Sequence, residues 1–472
     1  MTKPSSSSTS KRENSSGPSK FISKKHEKTP QRFMKAVKVM KSMEPQNQWD
    51  PEKEKFIIIN TNEFSSIKLP KICNLIYDTP IFSRLKRIKQ LGSCSYVFPS
   101  ATHTRFEHSI GTASLAYEFV VASQRNLPEN YKLTGNEFLD VILAALLRNL
   151  GHPAFSYLYE ECFATPGLHK EMAVKLFDKI LIDCPKTAVG LRQFLTERDF
   201  NLIRCLINPP RMFVNQKWNL PISRKKAYIF DIVNNLRNGL DVDKLDYTYR
   251  DGLRCGMNKY AINMNIVKRF IESAVVGINH SGEYCCLKYP ESNAGEIEII
   301  FQSKIELFKT LYYDKMILHP ASNLRSLLEA QKILEAVDYR EIPKLVLDVE
   351  SKGINDPSLW VGNILPSLQK TLKKKSFVKE ITVISKLIHA GKDFDDNPMA
   401  SVLFYPRNDR NKSVLVNKTV QSVIRTYIFA PYGSKIEEVE KLFKAVQVYC
   451  KEHNLESPVS HFRSRQINYN FV

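Results

Sequence analysis

The sequence of 472 residues lacks several features that would assign it to a simple class. It has no run of the roughly 18 apolar residues that a membrane-spanning helix needs, so we expect no membrane insertion. Its Ser- and Lys-rich beginning contains no apolar stretch, which argues against a secretory signal. Glycine occupies 17 positions, too few for a collagen-like chain or for most repeat-rich β architectures.

The nine cysteines also lack a pattern. Their number is odd, their spacing is irregular and no C-x-x-C pair occurs. Neither a zinc ribbon nor a thioredoxin-like motif is therefore predicted. In the absence of a secretory signal, we expect reduced thiols in the cytosol or the nucleus.

Positive charge is present in excess, with 69 Lys and Arg against 49 Asp and Glu and a formal net charge of +20. Such an excess favours an anionic partner, which composition alone leaves open between nucleic acid, nucleotide and phosphate. Hydrophobic residues make up 43% of the chain. This content is enough to bury a large core and excludes a wholly disordered protein.

Residues 1–50 form a separate compositional region, with eleven Lys and Arg against four Asp and Glu. Such a segment cannot bury enough surface to offset its chain entropy, so we predict a disordered basic tail. The pairs Lys11-Arg12 and Lys24-Lys25 resemble a bipartite nuclear import signal. A solvated basic tail explains them equally well. The first interpretation predicts a protein of the nucleus that also occurs in the cytoplasm.

The rest of the chain is predicted to be mainly α, with an all-helical core over residues 51–340, short strands, and a smaller mixed α/β lobe over 341–472. The best helical periodicity lies at 107–121, 137–150 and 242–252. Further helices are predicted at 171–182, 227–238, 304–318, 324–336, 380–389 and 435–451, and strands at 55–60, 284–289, 296–301, 401–405 and 414–417.

Four segments carry residue types suited to chemistry. They read TRFEHSIG at 104–111, LRNLGHPAFSY at 147–157, HKE at 169–171 and RNGLDVDKLDY at 237–247. Taken singly, His108 and His152 are imidazoles on or just after helices, and such a residue is more often packed in a core than a ligand.

Together the four segments resemble the HD-domain phosphohydrolases and, within them, the SAM- and HD-domain deoxynucleoside triphosphate (dNTP) triphosphohydrolases. The family pattern is R-F-E-H-S, then H-D-L-G-H-G-P-F-S-H, then D-V-D-K-x-D-Y. Residues 78–92 and 96–99 match as well, and the resemblance extends from about residue 52 to about 455. The family's SAM domain has no counterpart, since the basic tail stands in its place.

The resemblance implies a divalent metal, such as Mg, Mn, Fe or Zn, held by two His and two Asp. His108 and Asp243 match two of these ligands, whereas the His-Asp doublet falls on Arg148 and Asn149. A guanidinium has no lone pair to offer a metal, and a neutral amide is a weaker ligand than a carboxylate. We therefore expect no metal cofactor, and a divalent metal only if the chain is an active enzyme after all.

Arg148 suggests a sharper hypothesis. It can occupy the position of the metal and pair with Asp243 through two parallel hydrogen bonds. The alternative is that Arg148 points to solvent while Asp243 is satisfied elsewhere. We favour the pairing.

Other functional positions of the family keep their residue type. The resemblance implies catalytic roles for His152, His169 and Glu160, and nucleotide contacts for Gln90, Arg105, Lys244, Tyr247, Asp251 and Lys315. Lys315 stands where the family has Arg, and Glu160 where it has Asp. The regulatory nucleotide site has remnants in Asp78 and Lys86. Retained anion binding and purely structural ion pairing are equally compatible with these residues.

Three functions follow as expectations. The first is a pseudoenzyme that binds a dNTP, another polyanion or nucleic acid, or that modulates an active relative in a homo- or hetero-oligomer. The second is a working dNTP triphosphohydrolase, a dGTPase-like enzyme of dNTP catabolism, with a metal site rebuilt from His108, Asp243 and Asn149. The third is binding of RNA or single-stranded DNA by the basic segments, which would be steeply salt-dependent.

Overall fold

A computed structural model describes most of the chain between residues 45 and 453. The described residues are 45, 47–125, 127–155, 159–160, 167–210, 218–314, 345–352, 358–372, 377–378, 381–391, 397–407, 409–410, 412–431 and 434–453. All of them belong to one compact unit, Pro45–Val472. Most of the predicted basic tail, the helix predicted at 324–336, Lys315 and the boundary predicted at 340 lie outside the described residues.

The part of the chain before residue 315 is mainly helical, as its periodicity predicts. Its helices are α1 (Asn74–Tyr77), α2 (Pro80–Ser83), α3 (Arg105–Ser123), α4 (Gly135–Leu147), α5 (Leu168–Asp183), α6 (Pro185–Arg192), α7 (Glu197–Ile207), α8 (Ile229–Val233), α9 (Val242–Arg254), α10 (Met264–Ser273) and α11 (Ala294–Leu307). A π-helical turn, Phe308–Tyr312, continues α11, and short 3-10 turns lie at Lys71–Cys73, Arg84–Arg87, Gly92–Tyr96, Glu129–Tyr131, Arg224–Lys226 and Glu291–Asn293.

Short strands flank these helices. An antiparallel hairpin of β1 (Phe56–Thr61) and β2 (Ser65–Pro70) precedes them. Strands β3 (Val275–Ile278) and β4 (Cys285–Pro290) pair antiparallel. Helix α4 is at the centre of the core, because every residue from Phe138 to Leu147 is buried. A helix that is apolar on all sides is stable only when other elements surround it.

The last part of the chain is a mixed α/β lobe, as predicted. It contains β5 (Leu345–Lys352), α12 (Ser358–Leu372), β6 (Thr382–Ile388), β7 (Leu403–Tyr405), β8 (Val423–Phe429) and α13 (Ile436–Glu452). Strand β8 lies between β5 and β6 and pairs antiparallel with both. Strand β7 instead pairs in parallel with β4. The sheet and its two helices bury an apolar cluster of their own.

Two predicted elements are wrong. The strand predicted at 296–301 is part of α11, where Ile297, Ile300 and Phe301 are buried at helical spacing. A window of six residues was too short to show that period. The helix predicted at 380–389 is strand β6, with Ile384 and Ile388 buried. Its apolar residues fit both periods, and pairing with the central strand β8 decides for the strand.

Two further predictions are correct only in part. The helix predicted at 227–238 is limited to the short α8, which ends at Val233. The strand predicted at 414–417 is reduced to one bridge between Phe404 and Val414. Among the described residues, no helix is long and apolar enough to cross a membrane.

Candidate functional site

Two helix starts position the residues of the site. Thr104 and Glu107 form a capping box at the start of α3, which places Arg105 and His108 on its first turn. Asp241 caps α9 by accepting a hydrogen bond from the Lys244 amide at 3.1 Å. On α9, positions 243, 247 and 251 are four residues apart and so share one face.

Helices α3 and α9 approach each other closely because Gly111 has no side chain. A Cβ atom at Gly111 would lie 2.0 Å from Oδ2 of Asp246 and 2.5 Å from the Arg250 guanidinium. Any other residue here would push Asp246 away. The glycine of the HSIG segment therefore helps to hold His108 against α9.

His108 is enclosed by carboxylates. Its Nδ1 lies 2.7 Å from Oδ1 of Asp246 and its Nε2 lies 3.1 Å from Oδ1 of Asp243. The imidazole is 1% exposed. Burial by itself lowers the pKa of His108, but the hydrogen bonds that Asp243 and Asp246 accept from the ring outweigh it and raise that pKa above its ordinary value. When the ring is protonated, it donates through both nitrogens.

The pairing predicted between Arg148 and Asp243 is present. Nη2 of Arg148 lies 3.3 Å from Oδ2 of Asp243. The predicted geometry is wrong, however, because the guanidinium does not bind one carboxylate through two bonds. Its Nη1 donates to Oδ2 of Asp241 at 3.0 Å and to the carbonyl of Val233. Arg148 therefore bridges two acidic residues at the start of α9.

Asn149 completes this arrangement. Its Nδ2 donates to Oδ1 of Asp243 at 2.7 Å and lies 3.0 Å from Nε2 of His108. Its Oδ1 accepts a hydrogen bond from Nη1 of Arg105 at 3.2 Å. The amide thus joins the two helices at the position where the family has a metal-binding Asp.

Asp243 is the acceptor at the centre of the cluster. Burial alone would raise its pKa, but the charge of Arg148 and the hydrogen bond from His108 hold that pKa well below the ordinary value. Oδ1 faces His108 and Asn149, and Oδ2 faces Arg148. Both oxygens are therefore in use within the protein.

These residues do not fit a divalent cation at the family's metal position. Of the four family ligands, Arg148 has no lone pair and Asn149 is neutral. The lone pairs of Asp243 are directed at three hydrogen-bond donors, and two of those donors carry positive charge. A cation here would have to displace Arg148 and His108 from a buried carboxylate, and buried charge pairs are costly to break. We refer to Arg148, Asn149, His108, Asp241 and Asp243 as the closed cluster.

The closed cluster continues into a buried ion network behind it. Arg250 donates to both oxygens of Asp246 at 2.9 Å and to Glu63 at 2.9 Å. Glu63 lies in the turn between β1 and β2 and also pairs with Arg254. The network therefore fixes the β1–β2 turn to α9 and supports Asp246 under His108.

A cavity of about 630 Å³ opens beside the closed cluster. Its wall includes most of the predicted site residues, namely His108, Asp243, Asn149, His152, Glu160, His169, Gln90, Arg105, Tyr247 and Asp251. Arg105 keeps a positive charge at neutral pH, although burial lowers its pKa to about 10. A cavity of this size with a buried cation is suited to an anionic ligand of nucleotide size.

Lys244 does not line this cavity in the described part of the chain. Its ammonium lies 5.0 Å from the centre of the Phe301 ring and has no hydrogen-bond partner among the described residues. Burial lowers its pKa to about 8. The nucleotide contact predicted for Lys244 therefore has no support in this geometry.

The wall of the same cavity also holds the predicted catalytic residues. The rings of His152 and His169 stack with centroids 4.2 Å apart and an interplanar angle of 10°. Nδ1 of His169 lies 2.8 Å from Oε1 of Glu160. The Nδ1 atom of His152 is buried without a partner among the described residues. The three side chains lie together, as the resemblance predicts.

Gln90 and Asp251, both predicted to contact a nucleotide, differ in the partners they already have. Oε1 of Gln90 is buried and has no partner among the described residues. Asp251, in contrast, binds Nε2 of His103 at 2.7 Å and the hydroxyl of Tyr312 at 2.7 Å. The Gln90 oxygen is therefore available to a ligand, whereas both carboxylate oxygens of Asp251 already accept hydrogen bonds within the protein.

Several residues of the cavity wall were missed by the sequence analysis, namely Leu91, Phe308, Tyr312, Tyr313 and Lys386. Lys386 comes from β6, the segment predicted to be helical. Asp241 was missed as a partner of Arg148, although an Asp directly before the periodic 242–252 segment is a recognisable helix cap. Asp78 and Lys86, the remnants of the regulatory nucleotide site, are both exposed. Asp78 lies at the end of α1, and the ammonium of Lys86 lies 4.7 Å from the centre of the Phe106 ring.

Comparison with known proteins identifies relatives along most of the chain, although no family model matches. A dNTP triphosphohydrolase SAMHD1 homolog of Dictyostelium discoideum is 28% identical over 474 residues, covering 89% of this chain and 85% of that protein. The SAMHD1 triphosphohydrolase of Bos taurus is 26% identical and covers 84% and 75%. An HD domain-containing protein of Acanthamoeba polyphaga mimivirus is 26% identical and covers 86% and 88%.

These alignments span both the helical core and the α/β lobe, and the site residues stand on the helices where the sequence motifs predict them. Departures from the family pattern occur at the metal position, in Arg148 and Asn149, and also at Glu160 and Lys315. Along most of its length, the chain is therefore similar to HD-domain proteins and to SAMHD1-type dNTP triphosphohydrolases.

Proposed function

We propose that this protein binds a dNTP, or a closely related polyanion, in the cavity and does not hydrolyse it through the metal chemistry of its family. The closed cluster carries the proposal. Arg148, His108 and Asn149 direct their donors at the lone pairs of Asp243 that would otherwise hold a metal. The proposed function therefore includes no reaction step through a metal at this position.

Several features of the cavity wall support binding of such a ligand. Arg105 supplies a buried positive charge, and charge-assisted hydrogen bonds to phosphate are about twice as strong as neutral ones. Gln90 offers an unpaired amide oxygen that can accept a hydrogen bond from a sugar hydroxyl. Tyr247, Tyr312 and Tyr313 give the wall aromatic surface. Together they match a ligand with an anionic end and a flat, partly apolar end.

A binding measurement and a turnover measurement test this function together. Isothermal titration of the four dNTPs in the presence of a chelator should give saturable binding. Parallel assays with Mg²⁺, Mn²⁺, Fe²⁺ and Zn²⁺ should release neither triphosphate nor deoxynucleoside. Metal-dependent release that is abolished by His108→Gln would establish the active alternative, with a metal site rebuilt around His108 and Asp243.

Arg105→Ala sharpens the binding test. Loss of one charged hydrogen bond, worth about 1.5–3 kcal/mol, should weaken dNTP affinity by roughly 10- to 150-fold. Arg87→Ala is the matched control, because Arg87 is exposed and does not line the cavity. Equal affinities of the two variants would show that the ligand binds elsewhere.

Other roles remain proposals with less support. Nucleic-acid binding is motivated by the basic tail, Lys373–Lys375 and the segment 407–412. Most of the tail and all of Lys373–Lys375 lie outside the described residues, whereas Arg407, Arg410 and Lys412 are described and exposed. The residues that would carry a nuclear import signal also lie outside the described residues. Modulation of an active relative in an oligomer is a further proposal, because relatives of this family are dNTP triphosphohydrolases by name.

A further inference from the structure

The cavity wall contains a second group of metal-ligating residue types, separate from the closed cluster. One nitrogen each from His152 and His169 and one oxygen from Glu160 lie within 4.8 Å of one another. Within the described part of the chain, this is the one group of three or more His, Cys, Asp or Glu residues so arranged. We refer to these three residues as the open cluster.

The open cluster is held in place by surrounding backbone. A Cβ atom at Gly151 would lie 1.9 Å from the carbonyl of His169. The glycine therefore lets the turn that carries His152 pack directly against the first turn of α5. Arg84 donates to the carbonyls of His152, at 2.9 Å, and of Leu150. These backbone contacts fix the segments that carry the two imidazoles, and Nδ1 of His169 in addition bonds Glu160.

The protonation states of the open cluster suit a cation. Burial lowers the pKa of His152 well below its ordinary value. Burial also lowers the pKa of His169, more than Glu160 raises it. In Glu160 the hydrogen bond from His169 overcomes burial and lowers the carboxyl pKa. These shifts favour the neutral imidazoles and the carboxylate, the forms in which such residues bind metals.

We propose that His152, Glu160 and His169 bind one divalent transition-metal ion of the zinc class. Two His and one Glu form a known ligand set for Zn²⁺ and leave a fourth position open. The unpaired Nδ1 of His152 is the observation that points to a ligand, since a buried polar atom is normally bonded. This inference goes beyond the proposed function, because dNTP binding by Arg105 does not require it.

Binding requires a small rearrangement within the open cluster. The three donors must approach to roughly 3.4 Å, the spacing set by metal–ligand bonds of about 2.1 Å at tetrahedral angles. The bond from His169 to Glu160 is then replaced by coordination, and the stacked rings rotate apart. Arg105 repels the ion, whereas Glu160 and the carboxylates of Asp243 and Asp251 on the cavity wall attract it.

The test is a metal titration of the full chain without nucleotide. Protein stripped with a chelator is titrated with Zn²⁺, and with Co²⁺ to record the visible absorption of a tetrahedral site. Wild type should bind one tightly held equivalent. His169→Gln and Glu160→Gln should each weaken that binding by more than about 100-fold, since losses in the outer shell of a metal site already cost 10- to 100-fold.

His108→Gln is the matched control, because it removes a histidine of the closed cluster that is not one of the three residues of the open cluster. It should change the Zn²⁺ affinity by less than about threefold. The proposal is overturned if wild type binds no equivalent, or if His108→Gln loses the ion while Glu160→Gln keeps it. Thermal melting of the metal-free proteins checks folding, and His152→Gln replaces either variant that melts early. The titration omits nucleotide, so its failure leaves the proposed function unaffected.

Discussion

The closed cluster and the open cluster use similar residue types in opposite ways. In the closed cluster, donors from His108, Asn149 and Arg148 meet the lone pairs of Asp243. In the open cluster, Nδ1 of His152 has no partner among the described residues. The first arrangement is complete without a ligand, and the second is not. Residue identity alone therefore does not reveal whether a histidine and a carboxylate are available for chemistry.

At the position where the family pattern has a divalent ion, the guanidinium of Arg148 and the imidazole of His108 face Asp243. Arg148 reaches both Asp241 and Asp243, so the carboxylates at the start of α9 are paired within the protein.

The largest expected effect comes from breaking the closed cluster at Arg148. Arg148→Met leaves Asp241 and Asp243 as buried carboxylates without their cation. Removing one partner of a buried pair costs about 3–5 kcal/mol, so the free energy of unfolding in urea should fall by that amount. The matched control is Arg269→Met, which breaks an exposed pair with Glu296 and should cost less than about 1 kcal/mol. Similar losses in both variants would mean that the cluster is not a stabilising unit.

The pH dependence of the free energy of unfolding should distinguish His108 of the closed cluster from His152 of the open cluster. The folded-state pKa of His108 is raised, so its stabilisation is fully present below the unfolded value of 6.5 and is lost as the pH rises through the folded value. The folded-state pKa of His152 is lowered, so stability is lost as the pH falls below 6.5.

His108→Gln should therefore flatten the loss of stability above pH 6.5, and His152→Gln should flatten the loss below it. His108→Gln should also cost about 1.5–3 kcal/mol at neutral pH, the value of a hydrogen bond to a charged group. Urea unfolding from about pH 5 to about pH 8 measures both effects. Parallel curves for the two variants would contradict the opposite protonation states assigned to the two rings.

The smallest expected effect concerns Lys386, the cation that β6 contributes to the cavity wall. It is partly exposed, so one interaction with phosphate should be worth up to about 1 kcal/mol. Lys386→Ala should weaken dNTP binding about fivefold. Lys370→Ala, an exposed lysine of the same lobe outside the cavity wall, should leave the affinity unchanged. An effect as large as that of Arg105→Ala would indicate that the anionic end of the ligand lies closer to the α/β lobe than proposed.

The helical core could be predicted from the sequence because its signals are local. Helices α3, α4 and α9 follow from apolar periodicity and from caps at Thr104, Thr134 and Asp241. The pairing of Arg148 with Asp243 followed from charge and from the resemblance. Strand β6 was missed because its β-branched residues fit a helix as well, and only pairing with β8 decides between them.

The remaining features of the site depend on contacts between distant segments. The position of Asp241 before a periodic segment predicts that it caps α9, but nothing local indicates that it also binds Arg148. The bond between Glu160 and His169 and the engagement of Asp251 by His103 and Tyr312 depend on packing. These contacts decide which groups stay available to a ligand, and sequence alone does not show them.

The most direct test of the account is the metal content at the family position. We would compare His169→Gln with a triple variant that also carries Arg148→His and Asn149→Asp. The His169→Gln background removes the open cluster from the measurement. After loading with Mn²⁺ and gel filtration, elemental analysis should find no bound ion in His169→Gln and one per chain in the triple variant. A bound ion in His169→Gln that disappears on adding Asp243→Asn would contradict the account.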